Sequence, residues 1–240
     1  SELRYENRDG LRPQFATFGF GHTEELPTPQ DADIFEAELG VQYATDDFDA
    51  ALSYSFSYFD NANKTLLWDN PLRITDAGSL AAPAIGGARV GRMTLEPDNE
   101  MHEVALRLGY NLPWWNTRLS GEVSAGWELA NSDLEPYTTN TTSTIPAASG
   151  GGLPFDVSSL PDRSYDAEVN IQNYNFIATS NPTDELDLRG VFRFRRQNND
   201  SEEIRFPVFS PFDQSITASP SSLPHFEYDK WTASFDAGYR

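Results

Sequence analysis

The sequence predicts an all-β fold: an antiparallel transmembrane β-barrel segment of about eight strands, with short periplasmic turns and long external loops. Three observations predict it. Apolar and polar residues alternate strictly through several stretches of about 9 to 13 residues, the two-residue period of a strand with unlike faces. The connections between these stretches alternate between short and long, which is the layout of a barrel that crosses a membrane. Aromatic residues recur at the ends of the stretches, the level at which a bilayer meets water.

Residues 2 to 8 read as the first strand. In 33 to 43, Phe35, Ala37, Leu39, Val41 and Tyr43 share one face, and Glu36, Glu38, Gly40 and Gln42 the other. In 48 to 59, Phe48, Ala50, Leu52, Tyr54, Phe56 and Tyr58 oppose Asp49, Ala51, Ser53, Ser55 and Ser57. Only a few residues around Asp46 and Asp47 separate these two, so they form a tight hairpin. A second hairpin joins 102 to 110 (Val104, Leu106, Leu108, Tyr110 against Glu103, Arg107, Gly109) to 117 to 129 through Asn111 to Asn116. In 117 to 129 the apolar face is Leu119, Val123, Ala125, Trp127 and Leu129, set against Arg118, Ser120, Glu122, Ser124 and Glu128. The third hairpin pairs 164 to 180 with 185 to 196 through Asn181-Pro182-Thr183-Asp184, whose Asn and Pro favour a turn. Leu188, Phe192 and Phe194 line one face of its second strand, and Asp187, Arg189, Arg193 and Arg195 the other. In the first strand, Val169 and Ile171 are out of phase with Tyr174 and Phe176, which predicts a bulge near Gln172 or Asn173. Residues 228 to 240 close the series, with Trp231, Ala233, Phe235, Ala237 and Tyr239 on one face.

The four long connections are 9 to 31, 60 to 101, 130 to 163 and 197 to 227. Compact soluble domains seldom carry structureless loops beyond about 15 residues, whereas the external side of a barrel does. These loops hold 19 acidic and 7 basic side chains, so most of the net charge of −20 gathers at one rim. That acidity excludes nucleic acid as a partner, because phosphate binding is driven by basic surfaces. The chain has no Cys, which removes disulfides, thiolate chemistry and covalent attachment of haem c. No apolar run is long enough for a spanning helix, a test that barrel strands escape because their alternation averages out.

In this reading the polar register faces the lumen and a partner: Glu36, Glu38, Gln42, Glu103, Arg107, Arg118, Glu122, Asp187, Arg189, Arg193 and Arg195. The lipid-facing or interfacial register is Phe35, Tyr43, Phe48, Tyr54, Tyr58, Tyr110, Trp127, Phe192, Phe194, Trp231 and Tyr239. Both charge signs occur inward, so the lumen is expected to be polar and heterogeneous rather than a single-sign filter.

No catalytic, cofactor-binding or metal-binding residue is assigned. Ser149-Gly150-Gly151-Gly152 lacks the Lys-Ser or Lys-Thr of a phosphate loop and reads as a flexible connection. Asp200-Ser201-Glu202-Glu203 lacks the ligand spacing of a dedicated calcium site and reads as an exposed acidic loop, solvated or bridged to lipopolysaccharide by divalent cations. His22, His102 and His225 are far apart and read as solvated or interfacial. Trp114-Trp115 reads as an interface anchor ahead of a carbohydrate platform.

The stretch from Phe59 through Asp60-Asn61-Ala62-Asn63-Lys64-Thr65-Leu66-Leu67-Trp68 to Asp69-Asn70-Pro71 resembles the decahaem-associated outer-membrane barrels of the MtrB/PioB type. So do Arg8-Asp9-Gly10 with Phe18-Gly19-Phe20-Gly21, Leu112-Pro113-Trp114-Trp115-Asn116-Thr117-Arg118-Leu119, Leu160-Pro161-Asp162-Arg163-Ser164-Tyr165, and Asp236-Ala237-Gly238-Tyr239-Arg240. The resemblance implies a barrel of roughly 26 strands in the Gram-negative outer membrane. It also implies that the barrel sheathes a periplasmic multihaem cytochrome, often capped by an outer cytochrome, with haem c on the partner and none on this chain. Residues 1–240 are then expected to be a single internal segment, incomplete at both ends, bordered by membrane lipid and lipopolysaccharide. Strand-level features alone leave open a free-standing porin or receptor barrel, and a soluble β-rich carbohydrate-binding module.

Overall fold

The computed structural model describes residues 1–17, 23–71, 73–76, 87–208, 220–222 and 225–240. Eight strands form one sheet in which every neighbouring pair is antiparallel: β1 (Glu2–Thr17), β2 (Thr23–Ala44), β3 (Phe48–Asn61), β6 (Asp98–Leu112), β7 (Thr117–Asp133), β8 (Ser164–Thr183), β9 (Leu186–Asn199) and β12 (Glu227–Tyr239). They lie side by side in chain order. Two ribbons, β4 (Thr65–Asp69) with β5 (Val90–Thr94) and β10 (Arg205–Phe206) with β11 (Ser221–Ser222), occupy the long connections. The eight-stranded all-β meander and its alternating short and long connections match the fold read from the sequence.

The strands run further than their hydrophobic periodicity, most of them at the end that carries the long connections, though β6 and β8 also extend by two or three residues at their short turns. The clearest case is 9 to 31, expected to be a loop: β1 and β2 continue as a paired ribbon from Asp9↔Asp31 to Thr17↔Thr23. Backbone pairing persists where neither face needs to be apolar, so alternation no longer marks the strand. Pro27 and Pro29 fit because this part of β2 pairs with β1 alone, the ladder with β3 beginning at Ala32. Pro13 lies opposite Pro27, a match that loses no ladder bond at a non-hydrogen-bonded pair.

The bulge expected near Gln172 or Asn173 is elsewhere. Gln172 and Asn173 pair regularly with Arg196 and Arg195, and the register shift falls between Ser180 and Thr183, beside the turn at Asp184 and Glu185. Val169 and Ile171 therefore stay in phase with Ile177 and occupy the polar face. The apolar residues of β8 that seemed to signal a slip are simply apolar residues on both faces.

Packed residues lie mainly off the sheet. Ala88, Leu95, Ile145, Ile204 and Val208 are buried, with Asn70, Thr138, Asn140 and Ser201 among them. The connections after β3, β7 and β9 supply these residues. Arg92 pairs with Glu135 at 3.1 Å and donates to the Pro136 carbonyl; Thr65 donates to Glu135 at 2.9 Å. Asp76 accepts from the Thr141 hydroxyl at 2.6 Å, from the Thr141 amide at 3.0 Å and from the Arg89 amide at 2.7 Å. Burial raises the Asp76 carboxyl, but these hydrogen bonds and the Arg89 charge outweigh it and hold the pKa below its ordinary value. The connections thus form a cap that packs on itself.

Candidate functional site

In an antiparallel sheet, residues directly opposite share a face, so the register sorts every side chain. One row runs Tyr5, Phe35, Tyr58, Glu100, Leu129, Glu168. Another runs Val41, Leu52, Leu106, Val123, Tyr174, Phe194, Trp231. Extended along the strands, this face also holds Tyr43, Phe48, Tyr54, Tyr110, Trp127, Phe192 and Tyr239. All eleven residues expected toward lipid thus share one face. Its large side chains are uncovered: Leu39 is 58% exposed, Val41 70%, Trp231 70% and Phe235 71%. A continuous apolar surface of this kind is far larger than a water-soluble monomer tolerates and marks contact with a membrane or partner.

The opposite face collects Glu36, Glu38, Gln42, Glu103, Arg107, Arg118, Glu122, Asp187, Arg189, Arg193 and Arg195. Arg107 pairs with the directly opposite Glu122 at 2.7 Å, and Arg4 with Glu36 at 3.1 Å. Arg118 bonds Asp49 and, at 2.9 Å, Asn111. At mid-height the face is floored by small residues: the row Gly40, Ser53, Ala105, Ser124 and the neighbouring Ala51, Ser55, Ser57 and Gly126. Apolar residues also occur here, among them Ile34, Phe59, Ile171, Ile177 and Val191.

Two groups of like charge on this face emerge only from the register. Glu2, Glu38 and Glu103 lie in one row that crosses β1, β2, β3 and β6, with Glu128 nearby on β7. Arg189, Arg193 and Arg195 lie on β9, and Lys230, opposite Arg195, adds a fourth cation. Lys230 was recoverable from alternation, since it is out of phase with Trp231; Arg4 and Arg8 were recoverable in the same way from β1.

Near the end with long connections, His102 sits on the apolar face rather than in solvent. Tyr54 hydroxyl and His102 Nδ1 are 2.7 Å apart, and the imidazole stacks on Trp127 with centroids 5.6 Å apart. Trp114 and Trp115 are exposed at a short turn, where Trp115 and Asn116 adopt left-handed backbone, φ 60° and 42°. That conformation aims the Trp115 carbonyl at β8, where it accepts from the Asn181 amide at 2.9 Å and the Ser180 hydroxyl at 3.3 Å. In the cap, a hydrogen bond from Arg12, 2.7 Å away, holds the Glu96 carboxyl below its ordinary range and ties the β1–β2 ribbon to the segment before β6. His22 and the Phe18-Gly19-Phe20-Gly21 stretch lie outside the described residues, and among those described no cluster of three or more His, Asp or Glu has the arrangement to hold a metal ion.

The family described as "Putative outer membrane beta-barrel porin, MtrB/PioB" matches over residues 1–240. Outer membrane protein MtrB of Shewanella baltica (strain OS185) is 25% identical over 197 residues, covering 82% of this chain and 24% of that protein. The chain therefore spans about a quarter of the length of the curated relative it matches.

Proposed function

The chain belongs to the MtrB/PioB family of barrels in the Gram-negative outer membrane, and from that premise we propose that it forms part of the wall of a barrel that houses and insulates a multihaem c-type cytochrome. The observation that carries this reading is the two-faced sheet. Its apolar face suits hydrocarbon, and its opposite face combines charged groups with a mid-height floor of Gly40, Ser53, Ala105, Ser124 and Gly126. Short side chains let a large occupant approach the backbone closely; long ones would fill the lumen themselves. The chain has no Cys with which to attach haem c, so the redox groups would belong to the occupant and the wall would keep them from lipid. The role is that of a scaffold, without catalysis by this chain. Along the axis, an outer cytochrome would meet the cap formed by the long connections.

The test is to purify the full-length protein that contains this chain from outer membranes in mild detergent and to record the visible spectrum. Stoichiometric c-type haem bands are the expected result. A haem-free, detergent-stable barrel that passes small solutes in liposomes would sink the sheath reading and establish a free-standing porin.

A further inference from the structure

On the polar face of β9 and β12, Arg193, Arg195 and Lys230 form a strip of like charge. Arg195 lies between Asn173 of β8 and Lys230 of β12; Arg193 lies between Asn175 and Thr232. The diagonal neighbours are Ile171 and Ile177 on β8, and Tyr228 and Ser234 on β12. No carboxylate is directly opposite or diagonal to either arginine. Because β9 is flanked on both sides within the sheet, no further strand can supply one from beside it. Arg189, lower on β9, adds to the strip, though Asp236 lies opposite it.

This is not the habit of the rest of the molecule. On the other face of the same two strands, Arg196 makes two bonds of 2.9 Å to the directly opposite Asp229. Arg4, Arg107 and Arg118 each meet a carboxylate across a strand or close by. In a chain of net charge −20, two neighbouring arginines with Lys230 beside them and no carboxylate opposite or diagonal to either arginine are costly where they are. Glu2, Glu38 and Glu103 share a row elsewhere on the face, with Glu2 directly opposite Glu38, but there Arg4 lies diagonal to Glu38 and the charges are interleaved.

We propose that the Arg193, Arg195 and Lys230 strip docks a carboxylate-rich surface of the protein housed in the barrel, and that the place of this strip on one side of the wall fixes that protein's rotation about the barrel axis. The inference rests on the sheath reading and adds the chemistry and direction of the contact. A protein surface fits better than a free small anion, because the cations are spread along and across strands of an open sheet. Opposed charges across such a contact set register and suppress wrong orientations.

The experiment uses the full-length barrel, purified with its occupant and washed at rising salt. R193Q/R195Q is compared with wild type and with R196Q/D229N, which alters the other face of the same strands. Heat-modifiable migration on gels reports folding of each barrel. R193Q/R195Q is expected to fold, yet to retain its occupant about tenfold more weakly at physiological salt, with R196Q/D229N retaining it as wild type does. In R193K/R195K, carbodiimide is expected to join these lysines to Asp or Glu of the occupant. If wild type carries a protein occupant that R193Q/R195Q retains equally well, and no cross-link forms, the docking strip is refuted while the sheath survives. If wild type carries no protein and the same substitution only lowers anion conductance, the sheath reading fails and the strip serves small anions.

Discussion

Trp115 shows how one backbone angle is spent on a contact between strands. A left-handed φ of 60° on a bulky residue costs about 1 kcal/mol, which only glycine avoids. The return is a carbonyl aimed at Asn181 and Ser180 of the neighbouring strand. Trp115→Ala keeps the strain and loses the ring; Trp115→Gly loses both. Reversible urea unfolding in lipid vesicles should therefore find the Gly variant more stable than the Ala variant by about 1 kcal/mol. Equal stabilities would mean that the strain is relieved some other way. Glu96 gives a second prediction at this scale. Its pKa is lowered by Arg12, so the contact is fully present above the ordinary carboxylate range and is lost as pH falls through the depressed value. Amide exchange in the β1–β2 ribbon should speed up at acid pH in wild type and should lose that pH dependence in Arg12→Met.

At the scale of elements, the sequence was legible wherever one face of a strand must be apolar. All eight strands are present, and the charged or aromatic residues that alternation grouped together share a face in the register. Residues 9–17 and 23–31 were not legible as strands, because a ribbon clear of the hydrophobic layer is held by backbone bonds that leave no periodic trace. The bulge was misplaced for the opposite reason: Ile171 and Val169 are apolar on the polar face, and periodicity cannot tell such residues from a slipped register. The face assignment has a direct check, since these 240 residues lack Cys and single thiols can be placed in them once any Cys elsewhere in the full-length barrel is replaced. Spin labels at Leu106→Cys and Leu108→Cys should be relaxed by oxygen dissolved in lipid, and those at Ala105→Cys and Arg107→Cys by a water-soluble nickel complex. Uniform accessibility along β6 would overturn the two-faced reading. In the cap, Asp76→Ala removes the acceptor for Arg89 and Thr141, which should weaken the joint between two connections by roughly 1 kcal/mol. Limited proteolysis between residues 134 and 163 of the intact barrel should then be about fivefold faster.

For the whole molecule, the eight strands make an open sheet whose outermost members, β1 and β12, each have one neighbour in it. Unpaired edges and an uncovered apolar face both invite association. Expressed alone, residues 1–240 should precipitate from water and stay dispersed only in detergent or lipid; a monodisperse, cooperatively unfolding solution would revive the soluble carbohydrate-binding alternative. The polarity of the wall belongs to this scale too. Alternation names the inward charges of each strand, but which of them face a carboxylate and which do not is fixed only once strands are set in order and register. A wall floored by Gly40, Ser53, Ala105, Ser124 and Gly126 has few rotamers to freeze when another surface settles against it. Glycine and alanine lose no side-chain entropy on contact, whereas each long arginine or lysine forfeits up to about 2 kcal/mol. The ordering cost of filling such a barrel therefore falls on the long charged side chains that border this floor, while the floor itself is as rigid empty as it would be occupied.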